Sequence, residues 1–235
     1  MAMTGSGSPS LAAVAPPAET SSVASVEPAR GEVVGVGHPM IVTFTKPIAN
    51  RAAAEQTIKV TSPRNVTGRF MWVNDRVAQW IPDGFWPAHS KVTALAGGVS
   101  TSFETGAAVF GVADISDHTF TVSIDEQVVR QMPASMGKPR FPTPVGTFSA
   151  LAKERTVIMD SRTLGIPLNS SEGYRLSVNY AVRVTGSGVY VHSAPWSVDS
   201  QGYANVSHGC INLSPDNAAW YFDTVHIGDP VIVQS

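Results

Sequence analysis

Short stretches in which hydrophobic and polar residues alternate run along the first half of the chain. MIVTFTKP mixes apolar residues with threonines, GRFMWV has aromatics two positions apart, and RVAQWIP adds a further tryptophan. Glycine and proline clusters separate these stretches at roughly the 8–12-residue spacing that is typical of antiparallel β-sandwiches. The pattern therefore predicts a small β-sandwich over residues 23–107, interrupted by a short helix at RAAAEQ with Asn50 as its N-cap.

The second half, residues 108–235, is also predicted to be mostly β-structure. Two hairpins are expected, one with its corner at residues 124–127 and one turning at residues 186–188. KPRFPTPVGTF carries three prolines, so it cannot be a central strand and is predicted to be a surface loop. One main helix is expected after Ser214, a favourable N-cap that is followed by proline, and the segment DPVIVQS is expected to be the last strand.

Composition excludes several classes of protein. Only 14% of the residues are charged and the net charge is −2, so the sequence has no nucleic-acid-binding footprint and no polybasic membrane patch. Low charge is common in exported, strand-rich proteins. A single cysteine excludes an internal disulfide.

The N-terminal residues 1–22 are predicted to be a disordered linker that begins with a remnant of cloning, MAMTGSGS. They contain neither the basic region nor the apolar region of a signal peptide. We hypothesise that a native export signal or membrane anchor has been removed from this chain.

The cysteine, Cys210, lies in NVSHGCINLSP on a predicted loop before the main helix. It is a buried apolar residue, a metal ligand or a nucleophile. The tight turn at Gly209 favours the nucleophile, because the N–H groups of Gly209 and Cys210 would be exposed at its apex and could hold an oxyanion. His192, at the end of the strand SGVYVHSA, would then take the thiol proton.

The group that would orient His192 is left open. Asp199 and Asp216 are the available carboxylates, and a backbone carbonyl is the alternative. His192, His208 and Cys210 could form three ligands of a zinc ion, but no second cysteine is present and the spacing is unusual for zinc. We therefore predict no metal and no cofactor. The remaining histidines, which lack a partner pattern, are His38, His89, His118 and His226.

The segment VHSAPWSVDSQGYANVSHGCINLSPDNAAWYF closely resembles the active-site segment of L,D-transpeptidases, the cysteine enzymes that crosslink the bacterial cell wall. Their motif is a histidine, here His192, followed at a distance by Ser/Thr-His-Gly-Cys-apolar-Asn, here residues 207–212. PTPVGTF also matches a run of this catalytic domain, and the resemblance covers residues 109–233. The preceding residues resemble the immunoglobulin-like domain that mycobacterial members carry.

The resemblance implies a mostly β fold, with an immunoglobulin-like sandwich before the catalytic domain, and a function. Cys210 would attack the bond between meso-diaminopimelate and D-alanine in a peptidoglycan stem peptide, with His192 as base and then acid and the Ser193 carbonyl orienting the imidazole. A diaminopimelate amine of a second stem would resolve the thioester into a 3→3 crosslink, and water in its place would make the enzyme a carboxypeptidase. Carbapenems would inactivate the protein by acylating Cys210, and it would act outside the cytoplasmic membrane.

Further residues are assigned by the same resemblance. Gly209 would supply an oxyanion donor, and the remaining motif residues would line or support the pocket. Tyr174 would lie on a flap over the site, and Met159 and Trp196 would line substrate channels. The implied catalytic residues are Cys210, His192, Ser193, Gly209 and His208, and the implied substrate-binding residues are Tyr174, Asn212, Trp196, Met159 and Ser207.

Other interpretations remain open at this stage. Tyr174 could be an exposed loop aromatic, Trp196 could only pack a loop, and Met159 could belong to the core. The chain could be a cysteine peptidase or amidase that never transfers, although papain-like enzymes place cysteine before histidine, or a wall-binding module with an inert thiol. Four aromatic residues of the first domain could stack on sugars, although core packing is favoured: Trp72, Trp80, Phe85 and Trp86.

Overall fold

The structure is a computed structural model that describes residues 22–235. The predicted linker at residues 1–22 therefore lies, apart from Ser22, outside the described residues. The described chain forms four β-sheets, two built from residues before Ala107 and two from residues after it.

The first two sheets form the predicted sandwich, with strand orders β1-β3-β6-β5 and β2-β8-β7-β4. Its strands are β1 (Val23–Glu27), β2 (Val33–Val34), β3 (Met40–Phe44), β4 (Ile58–Thr61), β5 (Gly68–Trp72), β6 (Val77–Pro82), β7 (Lys91–Ala96) and β8 (Val99–Thr105). The expected helix is α1 (Arg51–Gln56), and the side chain of Asn50 caps it by accepting the N–H of Ala53.

Alternation places one face of each strand in the core of this sandwich. In β6 every second residue, including Trp80, is buried, and Trp80 stacks on Trp86 with ring centroids 5.2 Å apart. The prediction that these two tryptophans pack in the core is confirmed. Phe85 differs, because it stays partly exposed and its ring meets Phe110 of the second half edge-on.

The second pair of sheets has strand orders β11-β10-β9-β17-β12 and β13-β14-β15-β16. The strands are β9 (Val109–Asp114), β10 (Thr119–Ile124), β11 (Gln127–Pro133), β12 (Gly146–Ser149), β13 (Ala152–Asp160), β14 (Arg175–Arg183), β15 (Tyr190–Ser193), β16 (Ile211–Leu213) and β17 (Pro230–Gln234). Two short 3₁₀ helices cover Ser161–Leu164 and Pro195–Ser200. The main helix, α2 (Pro215–Thr224), begins at the predicted cap Ser214 and packs on β14 and β15.

Both expected hairpins are present, β10–β11 and β14–β15. The prediction for the region of Cys210 is wrong in one respect. Cys210 does not lie on a loop that continues to the helix, because the next three residues form β16, which pairs in parallel with β15. A three-residue strand is too short to show a period in the sequence, and its partner supplies the hydrogen bonds that define it.

The two halves meet through backbone hydrogen bonds. Gly35 N–H donates to the Ile227 carbonyl and Gly37 N–H donates to the Gly228 carbonyl, both at 2.8 Å. A Cβ on Gly35 would lie 2.1 Å from the nitrogen of Asp229, so only glycine fits at this contact. The strands up to β8 belong to the first two sheets, and the strands from β9 onward belong to the other two. The exact domain boundary between residues 107 and 108 stays a prediction.

Within residues 22–235, no helix combines the length and the apolar character needed to cross a membrane.

Candidate active site

The parallel pairing of β15 with β16 brings His192 and Cys210 to the same side of one sheet. His192 is opposite Asn212 in this pairing. Side chains alternate along a strand, so Cys210 lies on the same face as Asn212, one step diagonal to His192. Both side chains line a cavity of about 360 Å³. The pairing of the two strands therefore brings together two residues that a long loop separates in the sequence.

The imidazole of His192 is held in one tautomer. Its Nδ1 donates to the Ser193 carbonyl at 2.9 Å, and a carbonyl can only accept, so Nδ1 carries the proton and Nε2 keeps its lone pair. The residue is 2% exposed. Burial lowers the pKa of His192 to about 4, although the hydrogen bond to Ser193 acts in the opposite direction. The ring is neutral at pH 7 and can accept a proton.

The orienting group left open by the sequence is thus a backbone carbonyl. The recorded partner of Nδ1 is the oxygen of Ser193, and neither Asp199 nor Asp216 takes that position. Ser193 itself is buried in β15.

The thiol of Cys210 is half-buried and lies 3.9 Å from the Gly188 carbonyl oxygen, to which it donates. Burial raises the pKa of Cys210 to about 11, against an opposing backbone hydrogen bond from Tyr190. The thiol is therefore protonated at pH 7. A thiol activated by a lowered pKa is the usual expectation for a reactive cysteine. Here the pKa is shifted in the opposite direction, because burial disfavours the charged thiolate.

The turn that carries Cys210 is tied by side-chain hydroxyls. Gly209 has φ +118°, a conformation that favours glycine. The Ser207 hydroxyl accepts the N–H of Gly209 at 3.0 Å and donates to the Cys210 carbonyl at 2.7 Å. The Gly209 N–H is therefore engaged, and the expectation that it is an open donor at the loop apex is not met in this structure.

Thr143 is a supporting residue that the sequence reasoning missed. Its hydroxyl donates to the Gly209 carbonyl at 2.9 Å and accepts the N–H of Gly137 at 2.9 Å, and it is 2% exposed. The signal was present in PTPVGTF, where Thr143 stands between two prolines that cannot donate a backbone N–H to a ladder. The loop therefore supports the cysteine turn from the other side. The prediction that this whole run is a loop is wrong at its end, because Gly146–Ser149 form the edge strand β12 beside β17.

The predicted flap and channel residues surround the same thiol. Tyr174 is half-buried, and its pKa is raised to about 12 by burial and then by Cys210 and Asp160, so its phenol is neutral. Met159, on β13, lines the cavity. Trp196 is 55% exposed, and its ring centroid lies 6.0 Å from that of His192.

Asn212 and His208 form other parts of the wall. Asn212 is buried, and its Nδ2 donates to Ser197 Oγ at 3.2 Å, which fixes the crossover that follows β15. His208 lies with its ring centroid 5.0 Å from that of Tyr174. Its Nε2 donates to Glu172 at 2.7 Å. In the described chain no three histidine, cysteine or acidic side chains are grouped to hold a metal ion.

A second cavity of about 730 Å³ is also lined by Cys210. It shares four lining residues with the first cavity: Met159, Tyr174, His208 and Cys210. Cys210 therefore lies on the wall of both cavities. A thiol and a neutral imidazole on the wall of one cavity are the groups that a cysteine acyl-transfer enzyme needs.

Comparison with known proteins agrees with this class. Residues 109–233 match the L,D-transpeptidase catalytic domain (YkuD), and residues 7–97 match a bacterial Ig domain. The chain belongs to the L,D-transpeptidase family, in the arrangement with an immunoglobulin-like domain before the catalytic domain.

Mycobacterial proteins are among its relatives. The chain is 62% identical over 222 residues to L,D-transpeptidase 1 of Mycobacterium tuberculosis (strain ATCC 25618 / H37Rv), which covers 94% of this chain and 88% of that protein. An L,D-transpeptidase structure from Mycobacterium smegmatis superimposes with a TM-score of 0.88 at 65% identity, covering 92% of this chain and 99% of the other. The structure of LdtMt1 in complex with imipenem has a TM-score of 0.87 at 63% identity, covering 91% and 99%.

Proposed function

We propose that this chain forms 3→3 crosslinks in peptidoglycan through a thioester on Cys210. The observation that carries the proposal is the pairing of β15 with β16, which sets His192 beside Cys210 on one wall of a cavity. The donor is a tetrapeptide stem, and the acceptor is the diaminopimelate side-chain amine of a second stem.

Acylation begins from two neutral groups. The pKa of His192 is about 4 and that of Cys210 is about 11, so no thiolate–imidazolium pair exists at rest. Nε2 of His192 takes the thiol proton as Sγ attacks the carbonyl carbon of the diaminopimelate–D-alanine bond. The tetrahedral oxyanion collapses, the C–N bond breaks, and His192 returns the proton to the amine of the departing D-alanine. The product is a thioester on Cys210.

Deacylation repeats the proton transfers in reverse order. The neutral amine of the acceptor attacks the thioester carbonyl, the C–S bond breaks, and a new amide forms. His192 passes the proton from the amine nitrogen to the sulfur. Water in place of the amine would give a shortened stem and an L,D-carboxypeptidase activity.

The neighbouring residues have roles that follow from their contacts. The Ser193 carbonyl keeps Nε2 of His192 free of a proton. The N–H of Cys210 is a donor for the oxyanion, and that of Gly209 joins it once the Ser207 hydroxyl turns away. Asn212 braces the wall through Ser197.

Around the reacting centre, other residues form the binding surface. His208 and Tyr174 face each other at the junction of the two cavities, while Met159 and Trp196 line them. In this proposal the flap, residues 170–174, keeps water from the thioester. Shortening that loop should raise the ratio of hydrolysis to crosslinking, and an unchanged ratio would remove the flap from the mechanism.

Carbapenems are proposed to acylate the same sulfur. The structure of LdtMt1, 63% identical to this chain, holds imipenem, and the β-lactam carbonyl is an activated acyl donor for Cys210. Because the stem peptides are built into the wall, the protein is proposed to be exported and to act outside the cytoplasmic membrane.

Mass spectrometry after incubation with imipenem tests acylation. We expect one adduct per chain on the wild type, none on Cys210→Ala and slow formation on His192→Ala. His89→Ala, which removes an exposed imidazole from the N-terminal domain, is the matched control and should react like the wild type. An adduct elsewhere than Cys210, or none, would refute the proposal and favour a wall-binding module with an inert thiol.

A tetrapeptide donor with a diaminopimelate amine acceptor tests transfer. A crosslinked dimer together with free D-alanine is the expected result. Release of D-alanine with shortened stem alone would identify a peptidase that never transfers.

A further inference from the structure

Glu172 joins three separate segments around the thiol. One oxygen of its carboxylate, Oε2, accepts both from Nε2 of His208 at 2.7 Å and from the ammonium of Lys138. Lys138 follows β11, Glu172 lies between β13 and β14, and His208 is two residues before Cys210. The carboxylate therefore ties the flap to the cysteine turn and to the proline-rich loop at once.

These contacts are partly shielded from solvent. The side chains of Lys138, Glu172 and His208 are 25%, 28% and 19% exposed. Hydrogen bonds from Lys138 and then from His208 hold the pKa of Glu172 below its usual range, so the carboxylate is charged at neutral pH. A partly buried, doubly bonded carboxylate holds its partners more firmly than an exposed ion pair does.

The contacts of Glu172 hold three aromatic rings in place where the two cavities meet. The His208 ring lies between Phe141 and Tyr174, with centroid distances of 4.9 and 5.0 Å. Tyr174 and His208 line both cavities where these meet at Cys210. Movement of the flap away from His208 would separate these rings and admit solvent to the sulfur.

We propose that Glu172 is a positioning residue that latches the flap, residues 170–174, onto His208 and Lys138 and thereby favours the amine over water in resolving the thioester. The inference rests on the proposed function. In transfer, the C–S bond breaks, a C–N bond forms, and the amine's proton goes to the sulfur through His192. In hydrolysis, a C–O bond forms instead, and water supplies the proton and the hydroxyl of the released carboxyl group. The latch changes which of these two nucleophiles reaches the carbonyl carbon.

The flap has a second anchor that should survive loss of the carboxylate. Ser161 N–H donates to the Tyr174 carbonyl at 2.9 Å, and Tyr174 N–H donates to Ser161 Oγ at 3.1 Å. A substitution at Glu172 should therefore release one side of the flap without unfolding the segment. Glu172→Gln is preferred because it keeps the size of the side chain and removes the charge.

The experiment follows D-alanine release, crosslinked product and hydrolysed stem in one mixture of tetrapeptide donor and amine acceptor. Lys138→Met should raise the ratio of hydrolysed to crosslinked product by about tenfold, the change expected from losing one charge-assisted hydrogen bond. Glu172→Gln, which removes the charge from the bonds to both Lys138 and His208, should raise the ratio at least as much. The double variant should show little more than Glu172→Gln alone, because Lys138 acts on the flap only through this carboxylate. Glu104→Gln, an exposed carboxylate on β8, is the control and should keep the wild-type ratio.

The product ratio separates the latch from general weakening of the fold, which would lower both products together. An unchanged ratio in Glu172→Gln and in Lys138→Met, with D-alanine still released, overturns the latch and leaves the proposed function standing. Additive effects in the double variant also overturn it. If the wild type releases no D-alanine and forms no adduct with imipenem, the proposed function itself has failed.

Discussion

Asp229 ties the two domains together, and its burial makes the stability of the protein depend on pH. The residue is 0% exposed. Its carboxylate accepts the N–H of Val36 at 3.3 Å from the first domain and the N–H of His226 at 2.8 Å from the second. Burial raises the pKa of Asp229 to about 7, although these two hydrogen bonds and the charge of Lys153 act against the shift.

The direction in which stability changes with pH follows from the raised pKa of Asp229. The folded protein holds a proton on Asp229 that the unfolded chain, with an ordinary pKa of about 3.9, releases earlier as pH rises. The stabilisation is complete below the unfolded pKa and is lost as pH rises to the folded pKa of about 7. Linkage between these two pKa values gives a loss of about 2.5 kcal/mol from roughly pH 5 to pH 8, most of it below pH 7.

Urea unfolding of the wild type and of Asp229→Asn across this pH range measures the effect. Because the amide does not titrate, the free energy of unfolding of the wild type should fall relative to the variant by about 2.5 kcal/mol between about pH 5 and pH 8. The control is Asp117→Asn, which removes an exposed carboxylate and should run parallel to the wild type. Parallel curves for the wild type and Asp229→Asn would refute the reasoning, because they would mean that the buried carboxyl does not change its protonation on folding.

Three further predictions follow from single contacts. Acylation by imipenem should be lost only as pH falls through the pKa of His192, about 4, and should stay flat from roughly pH 6 to pH 9; a rise near pH 8 would show attack by a preformed thiolate instead. Gly35→Ala should lower the free energy of unfolding, measured by thermal unfolding, by about 1–3 kcal/mol, because the added Cβ would clash with the backbone of Asp229. Gly84→Ala, where a Cβ meets open space, should change it little in the same measurement. Tyr221→Phe should stabilise the protein by about 1 kcal/mol, because its buried hydroxyl has no partner among the described residues, and a lower melting temperature would contradict this.

Local sequence patterns predicted the strands and helices well, but they predicted the environment of the site less well. The alternation in RVAQWIP predicted β6, and Asn50 and Ser214 marked the starts of both α-helices. Periodicity and capping act between residues a few positions apart, so they leave a mark in the sequence. β16 left no such mark, because a strand of three residues exists only through its pairing with β15.

Part of the site was also predictable from the sequence. The spacing of residues 207–212 after His192 identified the reacting pair, because family motifs preserve the residues that touch the chemistry. The protonation states were not predictable, since burial sets the pKa of His192 and Cys210 and burial is a property of the packed chain. Glu172 carried no signal either, because its partners come from distant segments.

The amino-acid sequence by itself determined a β-rich chain in two parts, the main helix after Ser214, and the histidine and cysteine that meet in the site. Only the tertiary structure decided that both reacting groups rest in their neutral forms, that Glu172 holds the flap, and that Asp229 bonds to Val36, 193 positions away in the sequence. Strand and helix patterns depend on interactions between near neighbours, whereas desolvation and long-range hydrogen bonds depend on which surfaces the fold brings together and removes from water.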